Sequence, residues 1–416
     1  MHMADALLAP QVAAAMYVLS GTAAGISTVK LKKEDDPQKL PVMAVSAALV
    51  FAGQMINYSS PGTGSSGHIC GGMLLSALLG PYAGFLSMIV ILAIQCLFFA
   101  DGGLMALGAN IWNMAFYGCF VGYFLIWRPI MHSNWFGAGS RGQRARITAA
   151  SLIGCIVTLQ LGAFSVVLET TASGITELPF GAFMALMQPI HLAIGLVEGL
   201  ITAAVLNFVY ASRPELLCEA EISEDNKGRG SLRTTVLILA VVAAVVGGGL
   251  SLTASGSPDG LEWALFRNEE EGYASNMGLD EEAFGVSSAV ADRAEAIQEK
   301  TSFLPDYAFK DSDSAAGTTV SGLVGSAIVA AFAALICMIG GFFRKSTAHP
   351  RRIRKYAARP RKILKVSRMS AQNSKGGQLH WKPKQLRFEE SGHSKFTGRT
   401  CGTPISILSR RDSAVS

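Results

Sequence analysis

Eight stretches of the 416-residue chain are continuously apolar: 9–29, 41–58, 69–100, 109–130, 147–171, 181–210, 233–254 and 318–343. The 35 Lys and Arg residues lie in 30–40, 128–146, 213–233, 256–317 and 344–416, and only Arg128 and Arg233 reach into the ends of apolar stretches. A soluble helix of such length carries charge on its outer face, whereas a bilayer span needs about 20 apolar residues. The third stretch is too long for one span, since 32 helical residues at about 1.5 Å each reach about 48 Å against a hydrocarbon core of about 30 Å. Gly80-Pro81 near its middle is a helix breaker and divides it into two spans, one of them short. With that division, loops 30–40, 128–146 and 213–233 and the basic tail share one side, which the positive-inside rule makes cytoplasmic. Segments 1–8, 59–68, 101–108 and 172–180 hold no Lys or Arg and face outward. The pattern predicts an all-α polytopic membrane bundle of about 7 + 2 transmembrane helices in the cell membrane, N-terminus outside and C-terminus inside.

Composition refines this organisation. Only 16% of residues are charged, against about 25% in soluble domains. Residues 1–343 carry 16 basic and 27 acidic groups, and the tail from 344 carries 19 and 3. Three parts follow: a membrane domain 1–212, a two-helix domain 233–343 around an external loop 256–317, and a basic tail 344–416. The loop has 14 acidic and 4 basic groups, with helical patterns at 261–266 and 287–297. The tail has no hydrophobic period and reads as disordered or lying on anionic lipid, with no nucleic-acid role because it lacks interleaved aromatics. No CxxC pair occurs, and Cys96, Cys119, Cys155 and Cys337 read as small buried hydrophobes. No basic residue precedes Lys30, so a cleaved signal peptide is not expected and Met1 stays in place.

The topology puts His2 and His68 on the same outer side. An α-amine, the His2 backbone nitrogen and its imidazole can chelate one ion through fused five- and six-membered rings, and His68 supplies a fourth nitrogen. Tetragonal nitrogen sites suit Ni(II) and Cu(II), and imidazole also binds Co(II). The Gly/Ser-rich run from Pro61 to Gly67 lets the backbone close over an ion. Cys70 adds a nearby thiol, read chiefly as a small residue at a helix start. Glu198, the only acid deep in a span, lies seven residues from His191 and on its helix face. It is a candidate for proton relay or gating, or for an interhelical hydrogen bond. Asp101, Asn110 and Asn113 read as caps and packing contacts; Asn57 and Asp101 are also candidates for the ion path. Neither a phosphate-binding Gly-x-x-x-x-Gly-Lys-Ser/Thr loop nor an HExxH motif is present. The chain should neither hydrolyse ATP nor act as an enzyme.

Four blocks resemble one family. They are Met1-His2-Met3-Ala4-Asp5, Val50 to Asn57 with Pro61 to His68, Phe99 to Met114 (FADGGLMALGANIWNM), and His191 to Thr202 (HLAIGLVEGLIT). Together they are similar to the CbiM/NikM substrate-specific membrane components of energy-coupling-factor cobalt and nickel transporters. The resemblance covers roughly 1–210 and implies that the Met1 amine, the His2 amide and imidazole, and the His68 imidazole ligate the metal. Ala4 stands where the family has proline, which loosens the N-terminal segment; Met3 and Ala6 are further departures. Ser257 to Ala264 (SPDGLEWA) resembles the PDGLE signature of the CbiN/NikN-type accessory component. There Asp259 and Glu262 either gather cations or form an N-cap with Glu262 at the third position.

The resemblance implies an ATP-driven importer that captures Co²⁺ or Ni²⁺ at the outer face, with cobalt feeding cobalamin biosynthesis. No cofactor is permanently bound, and the metal is the cargo. The implied partners are a transmembrane coupling subunit and cytoplasmic ATPase subunits, with lipid around the bundle. The alternative is a proton-coupled secondary carrier using Glu198 and His191.

Overall fold

A computed structural model describes residues 2–32, 39–60, 64–174, 178–221, 231–266, 288–310, 314–347, 370–371 and 381–382. The apolar stretches become α1 (Pro10–Leu31), α2 (Lys39–Gln54), α3 (Gly72–Leu79), α4 (Pro81–Phe99), α5 (Leu107–Met131), α6 (Gly139–Ser173), α7 (Phe180–Ser212), α8 (Leu232–Gly248) and α11 (Ala315–Thr347). Between the last two lie α9 (Gly260–Phe266) and α10 (Ala289–Thr301). Among the described residues, seven helices are long and apolar enough to cross a membrane. Large apolar side chains such as Val18, Ile26, Leu237, Val241 and Leu335 face outward, as a bilayer allows and water does not. The chain is a multi-pass membrane protein.

The break at Gly80-Pro81 is present, with Gly80 at φ 83° closing α3 and Pro81 opening α4. The short span expected before it is shorter still. α3 has only eight residues, all buried, so it reaches about 12 Å and cannot cross alone. An extended stretch, 66–71, precedes it inside the protein. Gly71 takes φ 81°, a conformation that interrupts helical winding just ahead of α3.

Packing follows small residues. An added side-chain carbon at Gly195 or Gly199 of α7 would lie 2.9 Å from the Cα of Ile156 or Leu152 on α6, so these glycines let the two backbones meet. α7 keeps Pro189 within its length. Beside it, Gln160 Nε2 donates to the Gln188 carbonyl at 2.8 Å and Gln188 Nε2 donates to the Gln160 carbonyl at 3.2 Å.

The accessory stretch begins with α8, which packs along α2. Both helical patterns read in its loop are present, as α9 and α10; residues 267–287 lie outside the described ones. A separate unit, Ser346–Gly398, contains the pair Ser370–Ala371 and Trp381–Lys382, antiparallel. The disorder and lipid contact expected of the tail otherwise fall outside the described residues.

Candidate metal centre

His2 is placed by a clasp on the segment that follows it. Met3 N–H donates to Asn110 Oδ1 at 2.8 Å, while Asn110 Nδ2 and the Gly103 N–H donate to the Met3 carbonyl at 3.1 and 2.9 Å. Asp5 Oδ1 accepts from the Ala106 N–H at 2.9 Å. The glycines of the FADGG segment permit this approach. A side-chain carbon at Gly103 would overlap Asp5, and one at Gly102, whose φ is +79°, would stand 3.3 Å from His2 Cβ. Ala100 at φ 57° turns the chain out of α4, so that Asp101 follows directly opposite the imidazole.

His68 is placed differently. A short hairpin pairs β1 (Tyr58–Ser59) with β2 (Ser66–Gly67), and the Tyr58 hydroxyl donates to the Ile194 carbonyl on α7 at 3.2 Å. Beyond it, the Cys70 and Gly71 N–H groups donate to Glu198 Oε2 and Oε1 at 2.7 and 2.9 Å. Gln54 Nε2 donates to the Cys70 carbonyl at 2.7 Å. Glu198 therefore makes the interhelical bond that its position allowed, as an acceptor at the start of α3.

The two arms bring His2 and His68 together as stacked rings, centroids 5.1 Å apart and planes 26° apart. Their side chains are 8% and 9% exposed. His68 Nδ1 bonds the Ile69 carbonyl at 2.9 Å, and His2 Nδ1 lies 3.1 Å from Asp101 Oδ1. Both Nε2 atoms are buried without a hydrogen-bond partner, which is costly for a polar atom that nothing else engages. Burial pushes the His2 imidazole below its ordinary value, outweighing the pull of the Asp101 carboxylate. Burial lowers His68 as well. Both rings are thus held neutral, the form a metal needs. A six-membered ring with the His2 amide uses Nδ1, so closing it requires that nitrogen to leave Asp101. Met1 lies outside the described residues. Among the described residues, no three His, Cys, Asp or Glu side chains are grouped to hold an ion.

The accessory stretch lies against both arms. On the His68 side, the Ser66 N–H and hydroxyl donate to the Pro258 and Ser257 carbonyls at 2.8 and 2.7 Å, and Ser255 N–H donates to the Asn57 carbonyl at 2.7 Å. On the His2 side, Gln298 Nε2 donates to the Cys96 and Gly102 carbonyls at 2.9 and 2.7 Å, and the Tyr307 hydroxyl donates to Asp101 Oδ2. The PDGLE residues form the capping box expected of them: Asp259 Oδ1 accepts from the Leu261 and Glu262 N–H groups, and Glu262 Oε2 accepts from the Asp259 N–H.

Other candidates fall into place around this centre. His191 is 1% exposed, with Nδ1 on the Met187 carbonyl and Nε2 unpartnered. It lines a cavity of about 10 Å³ together with His68, Cys70 and Asp259. Asn57 keeps a buried, unpartnered Oδ1. Cys70 contributes its peptide group to the α3 start. Glu198 is not the only acid deep in the bundle, because Glu169 on α6 is 6% exposed and accepts from Asn113 Nδ2 at 2.7 Å. Its place at the edge of an apolar stretch hid it. Gln298 and Tyr307 carried no sequence signal at all, since both lie in a long polar loop.

Residues 2–216 match the model of the cobalt uptake substrate-specific transmembrane region, and residues 233–340 match the PDGLE domain. The chain belongs to the CbiM family. A NikMN protein of Archaeoglobus fulgidus is 36% identical over 334 residues, covering 80% of this chain and 96% of its own length. The fused nickel transport protein NikMN of Rhodobacter capsulatus is 28% identical, covering 80% and 95%. The cobalt transport protein CbiM of Sorangium cellulosum is 31% identical, covering 52% and 89%. These are metal transport proteins, so this CbiM-family chain is a cobalt or nickel transport component and not an enzyme.

Proposed function

We propose that this chain is the metal-capturing subunit of an ATP-driven cobalt/nickel importer, taking the ion at the outer face through Met1, His2 and His68. The observation that carries the reading is the buried, stacked pair of imidazoles, in which His68 offers an unpartnered Nε2 beside His2. The α-amine and amide of the first two residues complete a nitrogen set suited to Ni(II) or Co(II). The absence of a phosphate-binding loop from the sequence assigns ATP hydrolysis to separate cytoplasmic subunits joined through a transmembrane coupling protein. Cobalt delivered this way feeds cobalamin synthesis. The stretch 233–343 serves as the fused accessory part, because its residues contact both arms of the centre. Uptake of ⁵⁷Co²⁺ into vesicles carrying the complete system tests the coupling. Uptake that needs ATP and survives collapse of the proton gradient supports it; the opposite result supports the carrier reading, in which Glu198 and His191 exchange a proton. The hydrogen bonds of those two residues favour the importer, since each is engaged with backbone groups and neither bonds the other.

A further inference from the structure

The start of α3 presents a problem that the fold solves with two side chains. An extended stretch inside a membrane protein exposes peptide groups that water cannot satisfy. The first turn of a helix adds unpaired N–H groups and a partial positive charge of about half a unit. Here that turn begins four residues after His68, a site meant for a cation. Glu198 sits 1% exposed on α7 and takes both the Cys70 and Gly71 N–H groups. Gln54, 4% exposed at the end of α2, holds the Cys70 carbonyl from the other side. The Cys70–Gly71 peptide plane is therefore gripped at both edges by two helices, and Glu198 also holds the N–H of the preceding Ile69–Cys70 plane. His68 in turn bonds the Ile69 carbonyl through Nδ1, so its ring orientation depends on the backbone that this grip fixes.

We propose that Glu198 and Gln54 form a clamp that sets the position of His68, with Glu198 also offsetting the positive end of α3 beside the bound cation. Glu198 is a positioning residue on this account and takes no part in proton transfer. The inference rests on His68 being a metal ligand. The residue sits in place of the ordered second layer that metal-binding imidazoles depend on, whose loss weakens binding about 10–100-fold. Glu198→Gln keeps the length of the side chain but replaces one acceptor by a donor that faces an N–H group. Gln54→Met keeps the volume and removes only the donor to Cys70.

The test uses the purified full chain in lipid nanodiscs, titrated with Co²⁺ against a chromophoric chelator, and the absorption spectrum of bound Co²⁺ at saturation. Glu198→Gln is expected to weaken binding by about tenfold or more and to shift the visible Co²⁺ bands; Gln54→Met moves both in the same direction by less. A fold that is merely less stable leaves the spectrum of the bound ion unchanged, so the band shift separates positioning from stability. Spectra of both variants superimposable on the parent, with affinities within about twofold, overturn the clamp. If Glu198→Gln fails to fold, an unchanged spectrum in Gln54→Met overturns it alone. His68→Ala is the control for the underlying reading: unaltered Co²⁺ binding there removes His68 as a ligand, a result distinct from failure of the clamp.

Discussion

His68 arrives on a hairpin and a broken helix whose peptide groups are held from inside the bundle by Glu198, Gln54 and Tyr58. His2 arrives at the end of the chain and is held from outside its own segment, by Asn110, Gly103, Asp101 and, through Asp101, Tyr307. The side chains that grip the first arm all come from residues 50–200, and the accessory stretch touches it only at the hairpin, through Asn57 and Ser66. The second depends on a clasp and on the accessory loop. A chain terminus has the most conformational freedom to lose, and only a dense set of partners can make it a fixed ligand. The contrast says that the His2 arm is where capture is most easily broken and where the accessory stretch has leverage.

The most disruptive change should be the smallest in mass. One residue added ahead of Met1 moves the α-amine out of reach of a chelate with His2, and metal content measured by atomic absorption should fall to background while the protein stays monodisperse. His2→Ala and His68→Ala should do the same. A fully loaded extended chain would remove the amine from the ligand set.

Next in size is the clasp itself. Asn110→Ala leaves the buried Met3 N–H without its acceptor, a loss of about 1–3 kcal/mol. Nickel affinity by calorimetry should fall about tenfold if His2 loses its position, taking outer-partner losses of about 10–100-fold as the guide. Unchanged affinity with lowered thermal stability would mean that the clasp serves folding only.

Acid separates the donors. Burial lowers both imidazoles, so they remain neutral as pH falls past the ordinary histidine value of about 6.5. An ordinary α-amine protonates below about 8, so it competes with metal first. Between pH 8 and 6 the Co²⁺ dissociation constant should therefore rise about a hundredfold per unit, with one proton returning to the amine and one to the His2 amide nitrogen and none to the imidazoles. A flat profile over that range would point to the imidazoles as the whole site.

The mildest prediction concerns Ala4, which stands at φ −77° and ψ 160°, a backbone that proline adopts without strain. Its N–H makes none of the clasp's hydrogen bonds. Ala4→Pro should raise stability by about 0.4–1 kcal/mol, read as a higher melting temperature, by reducing the freedom of the unfolded chain. Destabilisation instead would show that the His2 arm needs give at this point.

Much of this molecule is written in one dimension. Long apolar runs with Lys and Arg only at their ends mark membrane-embedded helices, because charge and unpaired backbone are too costly in hydrocarbon. The Gly80-Pro81 break, the capping box at Asp259 and Glu262, and the candidate pair His2 and His68 were all legible from local chemistry. What sequence could not show is which groups meet across the bundle. Glu198 satisfying the start of α3, Asn110 gripping Met3 from 107 positions away, and Tyr307 reaching Asp101 from the far accessory loop all depend on tertiary contacts between segments with no shared periodicity. The length of α3 was decided there too, since a buried carboxylate on α7 let an extended stretch do what a longer helix would otherwise have had to do. Local pattern fixes which residues must be buried; only the folded bundle decides which buried polar groups satisfy one another.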